Sequence, residues 1–201
     1  MTLLRGISDL LSALYGGESF ILRMFEAPEE VKTVIQQLEK YWISFGKHLL
    51  NNLPEFHGGT GSFYYAAWTP GKTIWFQEDA AALLSPGLYE EFIFPSVKKI
   101  IQAFDHSVMH LHPSRFIPAG YLLKTGIGAI ELHRDMGGPT AKDLYGYHHM
   151  ILEKKPLIIW GDLTDEDLVC ILNILPVKGL LVIPVVKDKV QAKKIWDRFT
   201  K

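Results

Sequence analysis

The chain has 201 residues, 48% hydrophobic and 21% charged, the composition of a folded globular protein rather than a disordered one. A formal net charge of -1 offers no basic field for nucleic acid, and no apolar run approaches the roughly 18 residues that a membrane span needs. The single cysteine, Cys170, rules out an intramolecular disulfide and a thiolate-rich metal cluster, so a reducing cytoplasm is expected.

The first third reads as helix. The opening Met1-Thr-Leu-Leu-Arg-Gly-Ile-Ser-Asp breaks its apolar positions with polar ones, unlike a signal peptide. Leu3 to Leu14 and Phe20 to Phe25 are expected as short helices separated by Gly16-Gly17. Pro28-Glu29-Glu30 suits a helix first turn, where proline loses no bond and acids meet the positive end of the dipole. Val31, Val34, Ile35, Leu38, Trp42, Phe45 and Leu49 then recur at three- and four-residue spacing, which predicts a core-facing helix near 28–52.

From about residue 60 short strand-like runs alternate with helical stripes. The runs are Thr73–Gln77, Ser107–Leu111, Ala129–His133, Leu157–Trp160 and Leu180–Val185; helices are expected near 86–104, 115–124, 139–153, 164–175 and 188–200. Ser85-Pro86 is an N-cap followed by proline, Thr164 to Asp167 is close to a capping box, and Pro95 should bend or interrupt its helix. Strand, helix, strand, repeated, means a parallel sheet, either doubly wound or part of a barrel. About five units are visible where a closed barrel takes eight and about 250 residues. The expected fold is thus α/β, a partial (β/α)8 TIM barrel in a single domain 1–201. Residues 1–57 form a helical lead-in and 58–201 the βα units. Five strands cannot close at eight-strand geometry, so an open sheet, self-association or a chain supplying the missing half is expected.

In a parallel α/β fold the loops leaving the C-terminal ends of the strands build the site. Polar residues at those positions are Gln77, Glu78 and Asp79; His110 and His112; Glu131, His133 and Asp135; and Asp162. Residues two apart on a strand share a face, so His110 and His112 point together, as do Glu131 and His133. Three histidines and several carboxylates from adjacent strands suit metal binding or acid–base work. His48, His57, His148 and His149 read as packed or solvated, and Cys170 as a small core residue. No GxGxxG, P-loop or GxSxG follows a strand.

Several of these residues together resemble the uroporphyrinogen decarboxylase superfamily. Gln77-Glu-Asp79, Leu84-Ser-Pro86, Tyr89-Glu-Glu-Phe92, Pro95, His110-Leu-His112, the Gly-x-x-Ala-Ile-Glu run from Gly126 to Glu131, and Pro176 to Leu180 occur in that family's order. The resemblance spans essentially the whole chain but only the later, C-terminal portion of the family's length. It implies one of two activities. The family's decarboxylases act on tetrapyrrole acetates without a metal, through an early aspartate and arginines that this chain does not match. Its methyltransferases move methyl groups among small molecules, corrinoids and thiols, with zinc on a His-x-Cys pair and a later cysteine. Here His110 matches the histidine, His112 stands in place of the cysteine, and the later cysteine and a Gly-His-Gly near the last strand are missing.

The resemblance therefore implies small-molecule methyl transfer linked to a corrinoid or thiol. Asp79 and His110 would be catalytic, and Gln77, Glu131, Asp135 and Asp162 would bind substrate. Zinc would sit on His110, His112 and His133, with the corrinoid on a partner protein. The alternatives are a decarboxylase-like carboxy-lyase of tetrapyrrole metabolism and a non-catalytic barrel fragment that only binds ligand.

Overall fold

A computed structural model describes residues 3–62 and 64–199. Strand β1 (Leu4–Arg5) leads into helices α1 (Ile7–Tyr15), α2 (Ser19–Glu26) and α3 (Pro28–Asn52). A hairpin, β2 (Gly59–Ser62) and β3 (Ala67–Pro70), precedes β4 (Thr73–Gln77). The segment after β4 runs through a 3-10 turn (Asp79–Leu83), α4 (Pro86–Leu88), a π turn (Tyr89–Ile93) and α5 (Phe94–Gln102). Then β5 (His106–Leu111), α6 (Ala119–Leu122), β6 (Ala129–Arg134), α7 (Tyr145–Leu152), β7 (Leu157–Gly161), α8 (Asp165–Ile174), β8 (Leu180–Pro184) and α9 (Lys189–Phe199) follow.

The main sheet is parallel and its order is β1-β4-β5-β6-β7-β8, running one way along the chain. The face carrying Phe76, Met109, Leu111, Ile130, Leu132 and Ile159 packs into the main core with the helices. The opposite face carries Trp75, Val108 and Ile158, covered by Tyr65 from the hairpin turn; among the described residues no helix contributes to that cluster. A doubly wound sheet bears helices on both faces. Among the described residues this one is an α/β layer with helices on one side and β1 and β8 as its edges, compatible with part of a barrel wall.

Several expectations are corrected. The lead-in is not wholly helical. Leu4 and Arg5 pair with Phe76 and Gln77, so the sheet has a sixth strand where five units were expected, and α1 starts only at Ile7. Two residues are too few to show a strand period. The β2–β3 hairpin was not anticipated, because Gly59 to Ser62 carries almost no side-chain pattern. The helix expected over 115–124 shrinks to one turn, and that over 139–153 starts at Tyr145. The closing helix expected over 188–200 is α9, with Thr200 outside the described residues. As expected, Pro95 interrupts its helix: a π turn precedes it and α5 restarts with the proline in its first turn. The Ser85 cap and the Thr164–Asp167 capping box are both present. Among the described residues no helix is long and apolar enough to cross a membrane.

Candidate metal centre

Register decides what meets at the rim. Arg5 pairs with Gln77, Gln77 with His110, His110 with Glu131, Glu131 with Ile158 and Ile158 with Leu181, so these six form one row on the helix-free face. His133 pairs with Trp160 further along. Asp79 and Asp135 lie just past the ends of β4 and β6, and His112 just past β5. Six residues from three neighbouring strands are thereby gathered: Asp79, His110, His112, Glu131, His133 and Asp135.

Each histidine nitrogen faces a ligand-type atom. The Nδ1 of His110 is hydrogen-bonded to Glu131 Oε2, and the Nδ1 of His112 lies 2.9 Å from both oxygens of Asp135. A carboxylate at Nδ1 assigns the N–H to that atom and leaves Nε2 as a lone pair. The two Nε2 atoms lie 3.0 Å apart. Asp79 Oδ1 stands 3.9 Å from the first and 4.0 Å from the second. Two lone pairs and a carboxylate oxygen converging on one point repel one another unless a proton or a cation lies between them. Among the described residues the buried Asp79 Oδ1 has no hydrogen-bond partner, while its other oxygen is held by the Gln77 amide.

His133 sits behind this point. Its Nδ1 is 3.4 Å from Glu131 Oε1 and its Nε2 3.8 Å from Asp135 Oδ1. The groups whose ligand atoms all lie within 4.8 Å of one another are Asp79–His110–His112, His110–Glu131–His133 and His112–His133–Asp135. In these groups His133 joins one other histidine at a time, always with a carboxylate. The three-histidine set expected from sequence is not among these groups; the one that holds both His110 and His112 takes Asp79 as its third member.

Burial shapes the charges. Glu131 is completely buried, and desolvation pushes its carboxyl up to about 7 against the pull of His133. Burial, then the neighbouring His112, pushes His110 down to about 4, so it is neutral at physiological pH, the form that binds a metal. Asp79 is raised, first by burial and then by Asp9.

Two residues of the site were missed by sequence reasoning. Tyr65, from the hairpin turn, stacks on Trp75 with centroids 4.8 Å apart and brings its hydroxyl within 3.3 Å of His110 Nδ1. Trp160 stands perpendicular to His133 at 5.1 Å. Nothing in a four-residue turn signals the first, and the second reads as a strand apolar residue. Two expected rim residues stay outside this cluster. Glu78 turns inward, where its carboxylate accepts the backbone N–H groups of Ile7 and Ser8, both at 2.8 Å, and so caps α1. Asp162 is exposed past β7, and its side chain makes none of the site's contacts. Arg134 is not free for substrate, being buried with its Nε 3.2 Å from Asp167 Oδ2.

Comparison with family models and with curated proteins finds no match for this chain.

Proposed function

We propose that this chain binds one divalent transition metal ion through Asp79 Oδ1, His110 Nε2 and His112 Nε2, and uses it to activate a small nucleophile. The observation that carries the reading is the pair of Nε2 atoms 3.0 Å apart beside a buried carboxylate oxygen with no partner. Two imidazoles and one carboxylate are a catalytic zinc donor set, and they equally suit ferrous iron. When bound, the metal would act as a Lewis acid and lower the pKa of a ligated thiol or water. Glu131 and Asp135 fix the tautomers of the two ligating histidines. His133 stands beside Glu131, the Tyr65 hydroxyl reaches His110 Nδ1, and Gln77 orients Asp79.

The resemblance to the uroporphyrinogen decarboxylase superfamily makes the reaction methyl transfer between a corrinoid and a small thiol, and the rim's charge supports that branch. A substrate with several carboxylates needs several cations, whereas this rim carries three acids and, with Arg134 committed to Asp167, the one arginine Arg5. The helix-free face and the sheet edges at β1 and β8 support a second chain, a copy or another protein, completing the wall.

The test is to incubate the zinc-loaded chain with methylcobalamin and small thiols and to follow demethylation of the corrinoid. The reading expects zinc-dependent demethylation that Asp79→Ala and His110→Ala abolish. Stoichiometric zinc with no demethylation would overturn methyl transfer and leave the metal centre standing.

A further inference from the structure

Asp79 supplies the carboxylate of the metal trio, yet it stands beyond Gln77, the last residue of β4 that pairs with both neighbouring strands. The segment that carries it is held by α1. Two carboxylates cross between them in opposite directions. The Glu78 side chain accepts the N–H groups of Ile7 and Ser8, both at 2.8 Å, together with the Ser8 hydroxyl. The Asp9 side chain, from the first turn of α1, accepts the N–H of Ala80 at 2.8 Å. The residues immediately before and after Asp79 are thus both tied to α1. Asp9 is 8% exposed and Glu78 2%, and hydrogen bonds are stronger in such surroundings than in water. Burial raises the Asp9 carboxyl, against the pull of the Ala80 N–H, the Gln77 amide, Arg5 and the Asp79 N–H. Gln77 also holds one oxygen of Asp79, so ligand and clasp share a neighbour.

Among the described residues Asp9 belongs to none of the three ligand groups, so its influence on a metal would pass through Asp79. We infer that Asp9 is a positioning residue for Asp79: by holding the Ala80 N–H it fixes the backbone that keeps Oδ1 3.9 and 4.0 Å from the two Nε2 atoms. This rests on the reading of the trio as a metal site, and adds to it the element that sets the carboxylate in place. A ligand ordered in advance loses less conformational entropy on binding than one on a free loop.

The test is a double-variant cycle on the full chain, read as zinc affinity by competition against a chromophoric chelator well below the unfolding temperature. Asp9→Ala is expected to weaken zinc binding by about 10–100-fold, as loss of an outer-shell partner does. Asp9→Asn keeps an oxygen for the Ala80 N–H and should restore most of the affinity. In an Asp79→Ala background Asp9→Ala should have no further effect, because its route to the metal is gone. A residue that only supports α1 would leave zinc affinity alone or lower it equally in both backgrounds, and either result overturns the inference. If Asp9→Ala does not fold, Asp9→Ser takes its place, its shorter side chain stopping short of Ala80. Crystal structures of the metal-free parent and variant separate this test from the metal reading. Asp79 Oδ1 should leave its place in the variant while the two Nε2 atoms stay near 3.0 Å. An unmoved Asp79 overturns the inference, whereas a parent without zinc whose Asp79 does move overturns the metal reading alone.

Discussion

His110 and His112 point their Nε2 atoms at each other across 3.0 Å, and the carboxylates on their other nitrogens, Glu131 and Asp135, come from one strand and its end. Both imidazoles are thus oriented by the strand next to their own. If Glu131 fixes the tautomer of His110, Glu131→Gln should weaken zinc binding by about 10–100-fold without changing stoichiometry. Competition against a chromophoric chelator measures this. Unchanged affinity would mean that Glu131 only fills space.

A second expectation concerns acid stability. His148 on α7 is buried, and burial pushes it down to about 4 from an ordinary value near 6.5. Because the folded value is the lower one, protonation favours the unfolded chain. The stabilisation is complete above about pH 6.5 and is lost as pH falls toward 4. The span of roughly 2.5 pH units corresponds to at most about 3 kcal/mol. Urea unfolding at pH 7 and pH 4.5 should show a drop that His148→Leu reduces. An identical drop in the variant would place the acid sensitivity elsewhere.

Arg134 and Asp167 form a buried pair that ties β6 to the start of α8. Asp167 also accepts the N–H groups of Ala141 at 2.7 Å and Thr164 at 3.2 Å. Removing one partner strands a buried charge, so Asp167→Ala should cost about 3–5 kcal/mol in urea unfolding. A loss under 1 kcal/mol would show that Arg134 finds water or another partner.

Gly6 precedes α1 where Glu78 reaches in to cap it. A Cβ at Gly6 would lie 2.2 Å from Glu78 Oε1 and 2.3 Å from the Gln77 carbonyl oxygen. Gly6→Ala should therefore destabilise by about 1–3 kcal/mol, as crowding in a packed interior does. Thermal unfolding tests it, and a neutral result would mean that the cap moves aside.

Long elements were legible in the sequence because their periods are: α3 follows its apolar stripe, and the five strand runs each became a strand. β1 was not legible, since two residues make a strand only through partners 72 positions away, as Arg5 pairs with Gln77. At the site, strand alternation correctly grouped His110 with His112 and Glu131 with His133. It could not separate neighbours that turn opposite ways past a strand end, so Glu78 was placed on the rim beside Asp79. Asp162 stays outside the cluster for a related reason. It follows Gly161, whose φ of 139° turns the chain where β7 ends. Tyr65 and Asp9 arrive from a hairpin turn and from α1, elements whose packing no local pattern encodes.

The central claim is that one metal ion sits on Asp79, His110 and His112, with His133 behind them. X-ray absorption at the zinc edge of the metal-loaded chain reads this directly. Two imidazole scatterers with oxygen in the remaining positions are expected, unchanged in His133→Ala and reduced to one imidazole in His112→Ala. Three imidazoles in the parent chain, or no bound zinc or iron at one equivalent, would contradict it.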